Sequence, residues 1–372
     1  MKVTVEQAAL LKALGHVYRV VERRNTIPIL SNVLIRTEER RLWLKATDLD
    51  IEVTEVIEAD VSEAGTTTVP AHVLHDIVRK LSDGAQVSLE QSGDGAQLLL
   101  RSGRSRFTLQ SLPATDFPDL AAGALSHKFD VAATELKRLV EKTQFAISTE
   151  ETRYYLNGIY LHAIATDAGT MLRAVATDGH RLAQADTPAP AGAVGMPGVI
   201  VPKKTVGEIQ KLLAEASGDI SVELSTAKIR FSVGSVVFTS KLIDGTYPDY
   251  LRVIPTRNDK RAEASIEDLA AAVDRVSTIT NANGRAVKLA FTEGKLTLTV
   301  RNPDAGDATD ELPITYTSAD LEIGFNGAYL ADILAALSGD TAIIELAEPG
   351  SPALLTTPTD PAFCVVIMPM RV

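Results

Sequence analysis

Only one cysteine, Cys364, occurs in 372 residues. A single thiol forms no intramolecular disulfide, which excludes a disulfide-built scaffold and fits a reducing cytosol. Aromatic residues are scarce, at 5% with a single tryptophan. No apolar run reaches the eighteen or so residues that a membrane-spanning helix needs. The alanine- and valine-rich stretch 183–200 comes closest, and Pro188, Pro190 and Pro197 break it. The opening Met-Lys-Val-Thr-Val is followed by Glu6 and Gln7. It therefore lacks the unbroken apolar core of a signal peptide. Catalytic signatures are missing too: no HExxH, no phosphate-binding Walker loop, no GxSxG and no dinucleotide fingerprint. His72 and His75 stand one helical turn apart, but no cysteine or second histidine pair joins them, so a structural role is expected rather than a metal site. Cys364 lies beside Val365 and Val366, a setting for a buried, inert thiol. The chain is expected to be no enzyme and to need neither metal nor cofactor.

What remains is ordinary globular composition, with 45% hydrophobic and 23% charged residues and a net charge of −11. The length predicts two or three domains, and internal repetition makes it three. Val69-Pro70-Ala71-His72-Val73-Leu74, Val201-Pro202-Lys203-Lys204-Thr205-Val206 and Phe325-Asn326-Gly327-Ala328-Tyr329-Leu330 each pair a short extended entry with an amphipathic helix. A second helix pattern recurs with Leu10, Leu14 and Val17, then Leu136 and Val140, then Leu269, Val273 and Val276. Thr134 and Ser265 are the expected N-caps of the later two. Phe107-Thr108-Leu109 leads to Phe117-Pro118-Asp119 as Phe238-Thr239-Ser240 leads to Tyr247-Pro248-Asp249. Alternating runs bounded by turns at Asp94-Gly95 and Glu293-Gly294 read as antiparallel hairpins. The expected fold is α+β: three similar domains at 1–127, 128–255 and 256–372, each of two helices on antiparallel sheet.

Taken whole, the acidity speaks against nucleic acid as a partner. Resolved along the chain, the net charge is −3, 0 and −8 over the three segments. Cations gather on helices, at Lys12, Arg19, Arg23 and Arg24, at Arg79 and Lys80, at Lys137, Arg138 and Lys142, and at Lys203, Lys204 and Lys211. Two readings stay open: solvated helix faces, or one basic side on an acidic molecule. Arg101, Arg104 and Arg106 line one strand near the end of the first unit, and Asp304, Asp307, Asp310 and Glu311 lie in the third. Docked between two chains they would make a head-to-tail contact of the kind that closes rings. A merely solvated acidic loop is the alternative.

Seven ordered motifs carry a resemblance over essentially the whole chain. They are Asn25-Thr26-Ile27-Pro28-Ile29-Leu30, Ser102-Gly103-Arg104-Ser105-Arg106-Phe107, Arg153-Tyr154-Tyr155-Leu156-Asn157-Gly158, Ala176-Thr177-Asp178-Gly179-His180-Arg181-Leu182, Phe238-Thr239-Ser240-Lys241-Leu242, Tyr247-Pro248-Asp249-Tyr250 and Met368-Pro369-Met370-Arg371. The chain resembles the bacterial DNA polymerase III β subunit, the replicative sliding clamp. It departs from the family at Val372, where leucine is common. The resemblance implies a head-to-tail dimeric ring, helices lining the hole, that encircles duplex DNA without sequence preference and tethers a polymerase. It implies DNA contacts from Lys12, Arg24, Arg79, Arg138, Lys142, Arg153, Tyr154, Tyr155, Lys203 and Lys204. On local sequence alone Tyr154 and Tyr155 are equally readable as loop aromatics at a domain seam. It places the ring junction at Arg101, Arg104 and Arg106 against Asp304, Asp307, Asp310 and Glu311, with Ile77, Leu81 and Phe107 as apolar support. It implies a peptide groove formed by Leu156, Thr177, Gly179, His180, Arg181, Leu182, Pro248, Arg252, Val253, Val366, Ile367, Met368, Pro369, Met370 and Arg371. Arg181, Arg252 and Arg371 would hold polar groups at its rim. The implied partners are polymerase subunits, the clamp loader, translesion polymerases and mismatch-repair proteins, and the implied location is the bacterial cytoplasm at the nucleoid.

Overall fold

The computed structural model describes residues 1–120, 123–280 and 286–371. Six α-helices recur as three pairs: α1 (Gln7–Val17) and α2 (Ala71–Arg79), α3 (Ala133–Thr143) and α4 (Lys203–Glu215), α5 (Ile266–Ser277) and α6 (Gly327–Ala336). Each helix follows a strand with no intervening loop, as Gly65–Pro70 runs into α2 and Val199–Pro202 into α4. The apolar spacings predicted these helices, and the anchors are buried: Leu10, Leu14 and Val17 in α1, Leu269, Val273 and Val276 in α5. Ser265 caps α5 by accepting from the Asp268 N–H, as expected. Thr134 does not cap α3. The helix begins one residue earlier, directly off the His127–Ala132 strand, and takes Thr134 into its first turn. Asn326 caps α6 through the N–H groups of Ala328 and Tyr329.

All described strand pairs are antiparallel, in two eight-stranded sheets, one of five and one of four. The Asp94-Gly95 and Glu293-Gly294 turns fall between strands as predicted, with φ of 75° and 72° at the glycines. The chain forms two compact units, Met1–Thr134 with Gly207–Leu242, and Glu135–Val206 with Ile243–Val372. These cut across the threefold repeat because sheets run through the repeat boundaries. In the first unit Val236–Lys241 pairs with Ile51–Glu58. In the second Phe363–Ile367 pairs with Arg181–Pro188. Among the terminal strands of these sheets are Ser105–Gln110, at one end of the five-stranded sheet, and Gly306–Pro313, at one end of the four-stranded one, each bonded to a neighbouring strand along one side.

In the first unit α1 and α2 pack together through the histidine pair. The His75 ring stacks on Tyr18 at 4.0 Å, and His72 Nε2 donates to the Val21 carbonyl at 2.8 Å. Both histidines are thus structural, and no cluster of three potential metal ligands occurs among the described residues. A third histidine, His16, is almost fully buried with Glu55; its Nδ1 lies 2.8 Å from one Glu55 oxygen, and Nε2 lies 3.5 Å from Glu215. Ser235 donates to the other Glu55 oxygen. The Glu55 hydrogen bond holds His16 above its ordinary value of 6.5 against the opposing effect of burial. A group raised on folding stabilises fully below its unfolded value, and that contribution disappears as pH rises through the folded one. Urea denaturation of the wild type should therefore lose more stability between pH 6 and pH 9 than His16→Gln does; equal slopes would remove His16 as the cause.

Candidate functional site

An apolar cavity of about 260 Å³ opens in the second unit, lined in part by Arg153, Tyr155, Leu156, Thr177 and His180. Leu182, Pro248, Val253, Val366 and Met368 complete most of its wall. Four separate stretches build it: the Glu151–Leu156 turn, the hairpin ending Gly169–Thr177, the Tyr250–Val253 turn and the C-terminal strand. Leu182 and Val366 stand directly opposite each other across two strands. Beneath them Leu156, Val175, Ile200, Tyr247 and Tyr250 form one buried cluster.

The hairpin tip is fixed by its own side chains. The Asp178 carboxylate accepts from the N–H groups of His180 and Arg181 at 2.9 and 3.0 Å. Thr177 accepts from Gly179 N–H and donates to the Arg181 carbonyl. Gly179 has φ +87°, in the left-handed region that favours glycine. The tail is tied down by backbone: Met368 N–H donates to the His180 carbonyl and Met370 N–H to Gly324, each at 2.8 Å.

Most of the predicted groove residues converge here, including Thr177, Gly179, His180, Leu182, Pro248, Val253, Val366 and Met368. Five do not line the cavity. Ile367 is fully buried on the other face of its strand, since successive side chains alternate. Arg252 is largely solvated and paired to Asp249 at 2.7 Å. Pro369, Met370 and Arg371 lie beyond the tie at Met368, and Val372 is outside the described residues. Arg181 lines the cavity but is not a free rim cation. Its guanidinium pairs with Asp178 and Asp332, donates to the Phe145 carbonyl and lies over the Tyr329 ring. Sequence reasoning missed Asp249 and Tyr250 as cavity residues although both lie in the quoted Tyr247-Pro248-Asp249-Tyr250 motif. It also separated Arg153 and Tyr155 from the groove that they line.

The expected DNA-contacting cations divide into two groups. Lys12, Arg24, Arg79, Lys203 and Lys204 are exposed. Arg138 and Lys142 are corrected, because both are committed inside the second unit. Arg138 forks onto Asp360 and donates to the Asp186 carbonyl. Lys142 donates to the Ala336 carbonyl and to Ser338 at 2.6 Å, and burial lowers its affinity for the proton. Tyr154 is 54% exposed and meets Tyr155 edge to face. Arg153 is held by Glu150 and by the Asp178 carbonyl.

The edges at Ser105–Gln110 and Gly306–Pro313 differ in charge. Arg101 faces Arg106 across the hairpin, a like-charge pair that costs stability. Neither these two nor Arg104 has an ion-pair partner among the described residues. On the other edge Asp310 pairs with Arg275 and Glu311 with Lys295, while Asp304 and Asp307 are exposed. Ile77, Leu81 and Phe107 are each half-buried. Burial pushes the Cys364 thiol up to about 11, which leaves it unreactive near neutrality.

A repeated α+β chain with sheets continuous across its repeats, two oppositely charged edges and an apolar groove has the features of an assembly protein. Residues 1–121, 130–249 and 251–371 match the N-terminal, central and C-terminal domains of the DNA polymerase III beta subunit. The chain is 53% identical to the beta sliding clamp of Caulobacter vibrioides and 39% identical to that of Escherichia coli, over 372 residues and the full length of each. Its structure is similar to that of the Bartonella birtlesii sliding clamp bound to griselimycin, at 55% identity and a TM-score of 0.97 with both chains fully covered. The chain belongs to the DNA polymerase III β subunit family, the sliding clamps that act as processivity factors in DNA replication and have no catalytic activity.

A Cβ at position 179 would run into the Arg153 guanidinium and would adopt a strained φ. Gly179→Ala should cost about 1–2 kcal/mol, read as a lower denaturation midpoint. Unchanged stability would show that the turn relaxes freely.

Proposed function

We propose that two copies close head to tail into a ring around duplex DNA, the Ser105–Gln110 edge of each meeting the Gly306–Pro313 edge of its partner. One observation carries the proposal: each edge is bonded along one side only, and one is cationic where the other is anionic. Exposed edges are aggregation hazards that proteins cover or pair. Arg101, Arg104 and Arg106 would meet Asp304 and Asp307, with Asp310 and Glu311 exchanging their present partners. Ile77, Leu81 and Phe107 would be the apolar support. The three domains would be 1–127, 128–255 and 256–372.

Lys12, Arg24, Arg79, Lys203 and Lys204 would supply nonspecific attraction to phosphates, which permits sliding. Tyr154, with Arg153 and Tyr155 behind it, would stack on single-stranded template beside the ring. The groove would take short apolar peptide motifs of polymerase subunits, the clamp loader, translesion polymerases and mismatch-repair proteins in the bacterial cytoplasm. Methionine and aliphatic walls adapt to several such ligands. Griselimycin, held by the Bartonella relative, would bind here too.

Arg104→Glu with Arg106→Glu should convert the dimer to a monomer by light scattering; a persistent dimer would move the junction elsewhere. Loaded protein should survive high salt on closed circular DNA and leave linear DNA. Equal loss from both would end the ring proposal. Deleting residues 368–372 should abolish griselimycin binding in a titration while the dimer mass is kept, and undiminished affinity would remove the groove assignment.

A further inference from the structure

The Tyr250–Val253 wall of the groove has little backbone holding it. It is a short turn, and its backbone tie is a long 3.4 Å bond from Arg252 N–H to the Asp249 carbonyl. Its anchor is instead the Tyr250 phenol. Arg173 Nη1 lies 3.2 Å from Tyr250 Oη, and His162 Nε2 lies 3.0 Å from the same oxygen. A guanidinium only donates. Tyr250 therefore accepts from Arg173, and its own proton is left free to go to His162 Nε2 when that ring nitrogen is the unprotonated one. Burial, with Arg173 adding to it, holds His162 below its ordinary value, in keeping with a neutral acceptor. Arg173 is itself 8% exposed and forks onto Asp186 with two bonds of 2.7 Å. Tyr247, three residues before this segment, is gripped through rings. Tyr160 stacks on His162 at 4.6 Å and on Tyr247 at 4.7 Å.

Arg173, Asp186 and His162 do not line the cavity, whereas Tyr250 does. A buried ion pair is weak evidence for stability, because desolvation offsets much of the attraction. Its orienting effect is the more specific consequence. We propose that Arg173, Asp186 and His162 are positioning residues for the peptide groove, setting the place of its Tyr250 wall through one phenol oxygen. This rests on the assignment of the groove as the ligand site.

The test is a double-mutant cycle on the full-length protein, with griselimycin as the probe and thermal midpoint and dimer mass measured alongside. Tyr250→Phe keeps the ring and removes the anchor. It should weaken binding about 3–10-fold, the worth of one net hydrogen bond or slightly more. Arg173→Lys keeps the charge opposite Asp186 but loses the fork, and should weaken binding to a similar extent. In the Tyr250→Phe background Arg173→Lys should lower the midpoint further yet leave affinity unchanged, because the hydroxyl through which it acts is gone. His162→Gln gives the same cycle if Arg173→Lys does not fold. Additive losses in affinity, or a Tyr250→Phe protein that binds like wild type, overturn the proposal while the groove stands. Failure of the wild type to bind overturns the groove assignment and the positioning role with it.

Discussion

Backbone pairing across repeat boundaries is the constraint on which the other features depend. The Val236–Lys241 strand completes the sheet of the preceding repeat through Ile51–Glu58, and Phe363–Ile367 does the same through Arg181–Pro188. Each ladder satisfies backbone groups that would otherwise form an exposed edge. Each also carries a chain segment to a place that its own repeat does not occupy. Val366 meets Leu182, and Met368 reaches the His180 carbonyl, only because the last strand of the chain is an inner strand of the central sheet. The groove is thus a by-product of the ladder. The edges at 105–110 and 306–313 lie on the two smaller sheets, and the proposed junction would be a further use of the same chemistry.

Charge follows a second logic. The net −11 describes the whole chain, but a ligand meets only the surface presented to it. Several cations are held by partners and are partly or wholly buried. Arg173 and Arg181 are both buried with carboxylate partners, and Arg138 and Lys142 are spent on partners in their own unit. Such groups need their partners because an uncompensated buried charge is costly. The exposed cations on and beside the helices, Lys12, Arg24, Arg79 and Lys203 among them, form a smaller set than the sequence suggests. The hairpin arginines are the opposite case, since Arg101 and Arg106 face each other with no carboxylate between them.

The helices were legible because their apolar spacing repeats in three places, and a spacing of three and four residues has one common explanation. The Asp94-Gly95 and Glu293-Gly294 turns were legible from glycine. Sheet order was not, since alternation marks a strand without naming its neighbour. Nothing in Phe363–Ile367 shows that it pairs with residue 181 rather than with its own hairpin. The fate of Arg138 and Arg181 was hidden for the same reason: Asp360 and Asp332 lie 222 and 151 residues away in sequence. Ile367 was misread because a motif quoted as a block ignores the period of two. Tyr250 was visible as a residue, but its role was not, because the groups that anchor it come from two other strands.

One question remains within the fold: why this hairpin tip, among repeated ones, builds a groove. Ala46-Thr47-Asp48-Leu49-Asp50-Ile51 reproduces the turn bonds that the backbone, threonine and aspartate make in Ala176-Thr177-Asp178-Gly179-His180-Arg181. Thr47 donates to the Ile51 carbonyl at 2.7 Å, and Asp48 accepts from the N–H groups of Asp50 and Ile51. Even the cross-repeat tie is the same, with Lys241 N–H donating to the Asp50 carbonyl at 2.8 Å. Four residues differ at equivalent places, Ile51 standing where Arg181 does among them. Leu49 takes a left-handed φ of 77° where Gly179 stands in the other, so a side chain projects from the tip. Asp50 replaces His180, and Lys241 replaces Met368. Lys241 and Asp50 then form an ion pair of 3.1 Å across the position that is apolar in the groove. Phe117-Pro118-Asp119 repeats the wall motif, but Asp119 is drawn to Lys45. The same backbone therefore yields an apolar recess where the tip is glycine and the tie is methionine, and a charged, filled surface where they are leucine and lysine. Side-chain identity at those few points, imposed on a repeated frame, decides which copy can receive an apolar ligand.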